Sequence, residues 1–159
     1  MASKRVYLFD IDGTLANGDH RLHHIQKTPK DWASYFAACP HDEPIPHMMM
    51  LLNHLSNVDV PSDGNTVHLL FVSGRSDEVR AETEAWLSKH MGMHTLPKID
   101  VRMRKQGDHR ADDIIKIEIL REIETEGYEV IMAVDDRNRV VDAWRRAGIP
   151  CAQVAPGDF

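Results

Sequence analysis

Cysteine is scarce in this chain. Cys39 and Cys151 stand far apart and without metal-site spacing, which argues against a disulfide or zinc framework and leaves both as packing residues. No apolar run approaches the roughly 20 residues a bilayer-spanning helix needs. Basic residues are outnumbered, and the formal net charge of −6 argues against a broad basic surface for clamping long nucleic acid while leaving room for a small basic site. Internal repeats, low-complexity tracts and long linkers are missing. No Gly-x-x-x-x-Gly-Lys-Ser/Thr occurs, so there is no nucleotide-binding P-loop of the usual kind. Met1 to Arg5 lead straight into an apolar run, without the apolar region and cleavage site of a secretory signal, so a reducing, cytoplasmic setting is expected.

What is present is the composition of an ordinary globular protein, 42% hydrophobic and 28% charged over 159 residues. That suffices for one domain, expected to span 1–159, with a sizeable core. Val6 to Phe9 reads as a buried strand that stops at Asp10-Ile11-Asp12-Gly13-Thr14. Alternate side chains of an extended chain share a side, so Asp10 and Asp12 converge if that geometry persists. Two such carboxylates suit Mg²⁺, which takes oxygen ligands, although the same residues also suit a plain turn.

A polar loop follows, and Thr28-Pro29-Lys30-Asp31 predicts a helix capped by Thr28 with Trp32 and Phe36 as its buried side. Met48, Leu51, Leu52 and Leu55 recur at helical spacing. Asp59 to Asn65 reads as a turn around Pro61 and Gly64, and Val67 to Val72 as a second buried strand ending in Ser73-Gly74-Arg75. Ser76-Asp77-Glu78 caps a helix with Val79, Trp86 and Leu87 inward, ending near Gly92, and Ile99 to Met103 alternates as a third strand. From about Asp112 to Glu126 a helix turns Ile115, Ile119 and Ile123 inward, and its spacing puts Asp112 and Lys116 on that same stripe. Buried charges are rarely left unpaired, so these two either pair with each other or face a polar site at the helix N-terminal end. Val130 to Val134 is a fourth strand ending in Asp135-Asp136. Asn138 caps a helix with Val140, Val141, Trp144 and Ala147 inward, and Cys151 to Val154 is a fifth strand.

Strands alternating with helices predict an α/β fold, a Rossmann-like three-layer sandwich with a five-stranded, mostly parallel sheet. Such sheets bind ligands beyond their strand carboxyl ends. Three of the five predicted strands end there in chemistry: Asp10 with Asp12, Ser73 with Arg75, and Asp135 with Asp136. Lys116 is brought by a fourth element. In order and spacing, Asp-x-Asp-Gly-Thr at Asp10 to Thr14, Ser73, Lys116 and the pair Asp135-Asp136 resemble the haloacid dehalogenase superfamily of phosphotransferases. Arg21, the run from Arg104 to Asp113, the run from Asp135 to Arg139 and the tail from Val154 to Phe159 resemble more closely the 3′-phosphatase domain of bacteriophage polynucleotide kinase/phosphatase. The kinase half of that family has no counterpart here, in keeping with the missing P-loop.

The resemblance implies the haloacid dehalogenase fold with a minimal cap, a small flap or helix insert at about 16–46. It implies a Mg²⁺-dependent phosphomonoesterase in which Asp10 is the nucleophile, Asp12 the acid/base and Lys116 the charge-neutralising cation. Thr14, Arg21, Ser73, Gly74, Arg75 and Asp112 would then serve phosphate and substrate. The metal would bind Asp10, the Asp12 backbone carbonyl and Asp136, with Asp135 acting through water. A rim of Arg21, Arg102, Arg104, Lys105, His109 and Arg110 suits a phosphate on a polymer end, which points to 3′ ends of DNA or RNA as substrate and to a separate kinase or ligase as partner. The phage resemblance extends the cytoplasmic setting to a phage-encoded protein acting in its host. Two readings compete: a nucleotidase or other small-molecule phosphatase, which the net charge favours, and a non-catalytic module that binds nucleic-acid ends or a partner. His20, His23 and His24 read as loop residues near the substrate rather than as a metal set.

Overall fold

The computed structural model describes residues 4–56, 67–91 and 99–158. Strand β1 (Lys4–Phe9) leads through a tight turn to the two-residue β2 (Ala16–Asn17), followed by α1 (His23–Gln26), α2 (Trp32–Ala37) and β3 (Glu43–Pro44). β3 returns antiparallel to β2. Then come α3 (Pro46–Ser56), β4 (Val67–Ser76), α4 (Arg80–His90), β5 (Val101–Arg104), α5 (Asp112–Thr125), β6 (Tyr128–Asp135), α6 (Asn138–Arg146) and β7 (Cys151–Gln153).

Five strands form one sheet in the order β5-β4-β1-β6-β7, and every pairing is parallel. β1 alternates between two apolar layers. Val6 and Leu8 pack with Leu70, Val72 and Ala133 against Ile115, Ile119 and Ile123 of α5 and Val140 and Trp144 of α6. Phe9 faces the other way, toward Phe71, Val134, Met49 and Leu52 of α3, and Trp86 and Leu87 of α4. This is the expected three-layer α/β fold with helices on both faces. The chain runs from β1 out to β4 and β5, then crosses back to β6 on the other side of β1. The connections thus diverge at the carboxyl end of β1 and leave a crevice there.

Four local expectations are corrected. The second strand does not stop at Val72. A bulge between Ser73 and Ser76 lets it continue to Ser76, and such a bulge re-aims side chains without ending the pairing. The cap of α2 is Asp31, which accepts from the Ser34 N–H at 2.9 Å, not Thr28; Trp32 is 44% exposed while Phe36 packs on the core. In α3 the buried side is Met48, Met49 and Leu52, which turns Leu51 out to solvent. Asn138 is the first helical residue of α6, and its side-chain oxygen accepts from Gln153 instead of capping. The turn around Pro61 and Gly64 and the helix stop at Gly92 lie outside the described residues. Among the described residues, no helix is long and apolar enough to cross a membrane.

Candidate active site

Asp10 leaves the end of β1 directly into the crevice, fixed by its own N–H donating to the Val134 carbonyl at 2.9 Å. One of its carboxylate oxygens accepts from Lys116 Nζ at 2.7 Å and the other from the Thr14 hydroxyl at 3.0 Å. Thr14 is wholly buried, so it positions Asp10 and does not offer itself to a phosphate. Lys116 lies on the inward stripe of α5 and is 1% exposed, and it also donates to Asp135 at 2.8 Å. Asp112, one turn earlier, stands 3.8 Å away. Both alternatives that the helix spacing left open are therefore realised: Lys116 pairs within its helix and also faces a polar site.

Asp135 is further held by the Trp144 indole N–H at 3.2 Å and by the backbone N–H of Asp136 and Arg137. Asp10, Asp135 and Asp136 bring one carboxylate oxygen each within 4.8 Å of one another, all three residues buried. Three acids against one ammonium leave an excess of negative charge. Burial, with Asp135 and Asp136 adding to it against Lys116, pushes the Asp10 carboxyl well above the ordinary carboxylate range. Burial and Asp135 push Asp136 up to about 6. Crowded oxygen donors whose ionised forms repel one another fit a hard divalent cation, which removes that repulsion on binding. The Asp12 carboxylate is outside this cluster.

Asp12 faces two guanidiniums instead. Arg75 donates to it through Nε and a terminal nitrogen, at 3.0 and 2.6 Å, and Arg21 through a terminal nitrogen at 2.6 Å. The same two arginines grip Asp42: Arg21 at 2.7 Å through each of two nitrogens, Arg75 at 2.7 Å. His20 completes the contacts of Asp42 at 2.9 Å. Both guanidiniums are fully buried. Burial opposes ionisation of Asp12, but Arg75 and then Arg21 outweigh it and hold its carboxyl down to about 2. The planar forks of Arg21 and Arg75, expected to serve phosphate and substrate, close in this structure on the carboxylates of Asp12 and Asp42.

Asp42 belongs to this network without any signal in the sequence. Between Pro40 and Pro44 it carries no helical or strand periodicity, and only the return of β3 onto β2 brings it under Arg21. Of the histidines, His20 does pair with Asp42, while the rings of His23 and His24 lie against each other, tilted by 39° with centroids 3.9 Å apart.

The remaining predicted residues divide. Ser73 is buried, and its hydroxyl accepts from the Arg75 N–H at 3.2 Å. Gly74 and Asp112 line the cleft. A Cβ on Gly74 would collide with the Asp112 carboxylate, so glycine there lets β4 and α5 approach. The basic rim is largely ion-paired: Arg102 with Asp100 and Glu126, Arg104 with Asp112, and Arg110 with Asp108 and Glu118. Arg21 and Arg102 do not line the cleft, whereas Lys105, His109 and Arg137 do. The cleft has a volume of about 400 Å³ and is walled on one side of its lining by Trp32, Tyr35 and Phe36.

A family model described as the polynucleotide kinase PNKP phosphatase domain matches residues 4–159. The chain belongs to that family. The PNKP-type domain is thus a phosphatase of the haloacid dehalogenase superfamily. Among solved structures, a chain of a Pnkp1/Rnl/Hen1 RNA repair complex is 29% identical, with a TM-score of 0.73 over 99% of this chain and 44% of that one. The chain therefore spans less than half of that relative. The class C acid phosphatase from Bacillus anthracis is 13% identical, with a TM-score of 0.61 over 98% of this chain and 70% of that one. A hydrolase from Streptococcus pneumoniae TIGR4 is 18% identical, with a TM-score of 0.56 over 98% of this chain and 95% of that one. These two share the fold with the PNKP-type domain.

Proposed function

We propose that this domain is a Mg²⁺-dependent polynucleotide 3′-phosphatase working through an aspartyl-phosphate on Asp10. The observation that carries the reading is the setting of Asp10, held between Lys116 and Thr14 in a cleft where Asp135 and Asp136 complete a three-acid cluster. Asp10 attacks the phosphorus of a phosphomonoester, the bond from phosphorus to the sugar oxygen breaks, and water later hydrolyses the acyl phosphate. Lys116 offsets negative charge on the nucleophile and the arriving phosphoryl group, and Asp112 orients it. Mg²⁺ held by Asp10, Asp136 and the Asp12 backbone carbonyl would supply the charge neutralisation that lets an anionic nucleophile meet an anionic phosphate.

Asp12 gives the leaving oxygen a proton and takes one back from the attacking water. Its carboxyl rests ionised against Arg75 and Arg21, which suits the second half of that exchange. A phosphate dianion arriving beside it raises its proton affinity, as a like charge does, and this supports the first half. The segment at 16–46 acts as the minimal cap, leaving room for a strand end. Similarity to a chain of an RNA repair complex extends the reading to RNA ends and to partner repair proteins; a separate kinase or ligase and a cytoplasmic setting belong to the same proposal.

Phosphate release in Mg²⁺ should be fastest from an oligonucleotide 3′-phosphate, compared with the same strand phosphorylated at its 5′ end and with free mononucleotides. Faster turnover of mononucleotides would sink the substrate assignment. It would favour a nucleotidase, the reading that the net charge and the ion-paired rim support. Metal binding has its own readout. At about a hundredfold over its Kd, Mg²⁺ should raise Tm by roughly 5–10 °C, and Asp136→Asn should remove most of that gain. An unchanged Tm in wild-type protein would count against the cation site.

A further inference from the structure

Trp32 is the large aromatic left exposed among the described residues, at 44%. A short amphipathic helix normally turns such a ring inward, because burying it removes a large apolar area from water. Trp32 instead lines the same cleft as Asp10, Asp135 and Asp136. It is not a loose side chain. Phe36 stacks against it, with ring centroids 5.9 Å apart and planes 27° from parallel, and Tyr35 meets it edge-on at 5.7 Å. Tyr35 is in turn fixed by Arg21, whose guanidinium carbon lies 4.2 Å over its ring. The indole is thus braced through Tyr35 to the network that holds Asp12. The cleft, about 400 Å³, is at the small end of ligand pockets, and its lining joins this supported aromatic face to the three acids.

We infer that Trp32 is a stacking platform for the nucleobase of the terminal nucleotide, the one whose 3′-oxygen carries the phosphate. The inference rests on the 3′-phosphatase reading and deepens it. The apolar face makes one contact per strand, with a base of any identity, since every base offers a π-face. Such a contact needs no long basic track, which agrees with a rim whose arginines are already paired with acids. Recognition then falls on the terminal nucleotide, and the strand behind it leaves the cleft.

The test uses two oligonucleotides identical except at the 3′ end, one ending in a nucleoside 3′-phosphate and the other in an abasic tetrahydrofuran 3′-phosphate, with glycerol 2-phosphate as a third substrate. Wild-type kcat/KM should favour the base-bearing end by about 5- to 150-fold, the range expected for one base–aromatic stack. Trp32→Ala should collapse that ratio toward one, chiefly through KM on the base-bearing strand, and Trp32→Phe should keep most of it. Equal rates of wild-type enzyme on both ends, or an equal loss on both in Trp32→Ala, would overturn the platform alone. Turnover of glycerol 2-phosphate with no release from either strand would overturn the 3′-phosphatase reading and the platform with it.

Discussion

Asp42→Ala is expected to be strongly destabilising, costing about 3–5 kcal/mol and lowering Tm by about 6–20 °C. The cause is electrostatic. Arg21 and Arg75 are fully buried and share two carboxylates, Asp12 and Asp42, so the cluster is neutral as it stands. Truncating Asp42 strands two guanidiniums on one acid, and a buried charge without its partner costs far more than the intact pair contributes. Asp12 would be held more strongly still, so proton exchange at Asp12 should slow and kcat should fall with stability. Arg21→Leu/Asp42→Leu restores charge balance, with Arg75 left to Asp12. That double variant should recover part of the lost Tm but not the activity, because one arm orienting Asp12 is gone. Thermal denaturation of the three proteins decides it: an Asp42→Ala Tm within about 2 °C of wild type would mean that the network does not carry the fold.

That Asp42 escaped the sequence while Asp10, Lys116 and Asp135 did not has a physical reason. The legible residues sit on regular elements, where period and position say what a side chain must face. Asp10 and Asp135 close strands of the parallel sheet, and Lys116 interrupts the apolar stripe of α5, so each breaks a local pattern. Asp42 breaks none. It lies between a 3₁₀ turn at Cys39–His41 and the two-residue β3, and its burial depends on a contact 21 residues away in sequence. Gly13, with φ of 81°, was visible as turn chemistry, but its second duty was not: a Cβ there would meet the Asp136 carboxylate. Arg21 and Arg75 both meet Asp12 and Asp42, yet which anion a guanidinium grips is settled by burial, and burial is a tertiary quantity. Trp32 and Phe36 show the same limit. Spacing of four gives them one side of α2, but a six-residue helix on the rim can press only Phe36 against the core.

Asp10→Asn should separate chemistry from folding more sharply than any other change. Turnover should drop by at least about 10⁴-fold, as when a covalent nucleophile is removed, while the fold stays intact. In Mg²⁺-free buffer its Tm should equal or exceed that of wild type. Asparagine keeps the shape, its single oxygen accepting from Lys116 and its NH₂ donating to the Thr14 hydroxyl, and Lys116 retains Asp135 at 2.8 Å and Asp112 at 3.8 Å. What disappears is one of three mutually repelling buried carboxylates, the one whose carboxyl is pushed well up by burial. A carboxylate disfavoured in the folded state opposes folding at neutral pH, so its neutral replacement removes a penalty. The same substitution should shrink the Tm gain on adding Mg²⁺, since one ligand of the cluster is lost. Acid quenching of wild-type enzyme during turnover of a ³²P-labelled 3′-phosphate should trap label on the protein, and Asp10→Asn should trap none. Substantial phosphate release by Asp10→Asn, or labelled wild type and variant alike, would end the aspartyl-phosphate mechanism and leave the acid cluster to activate water directly.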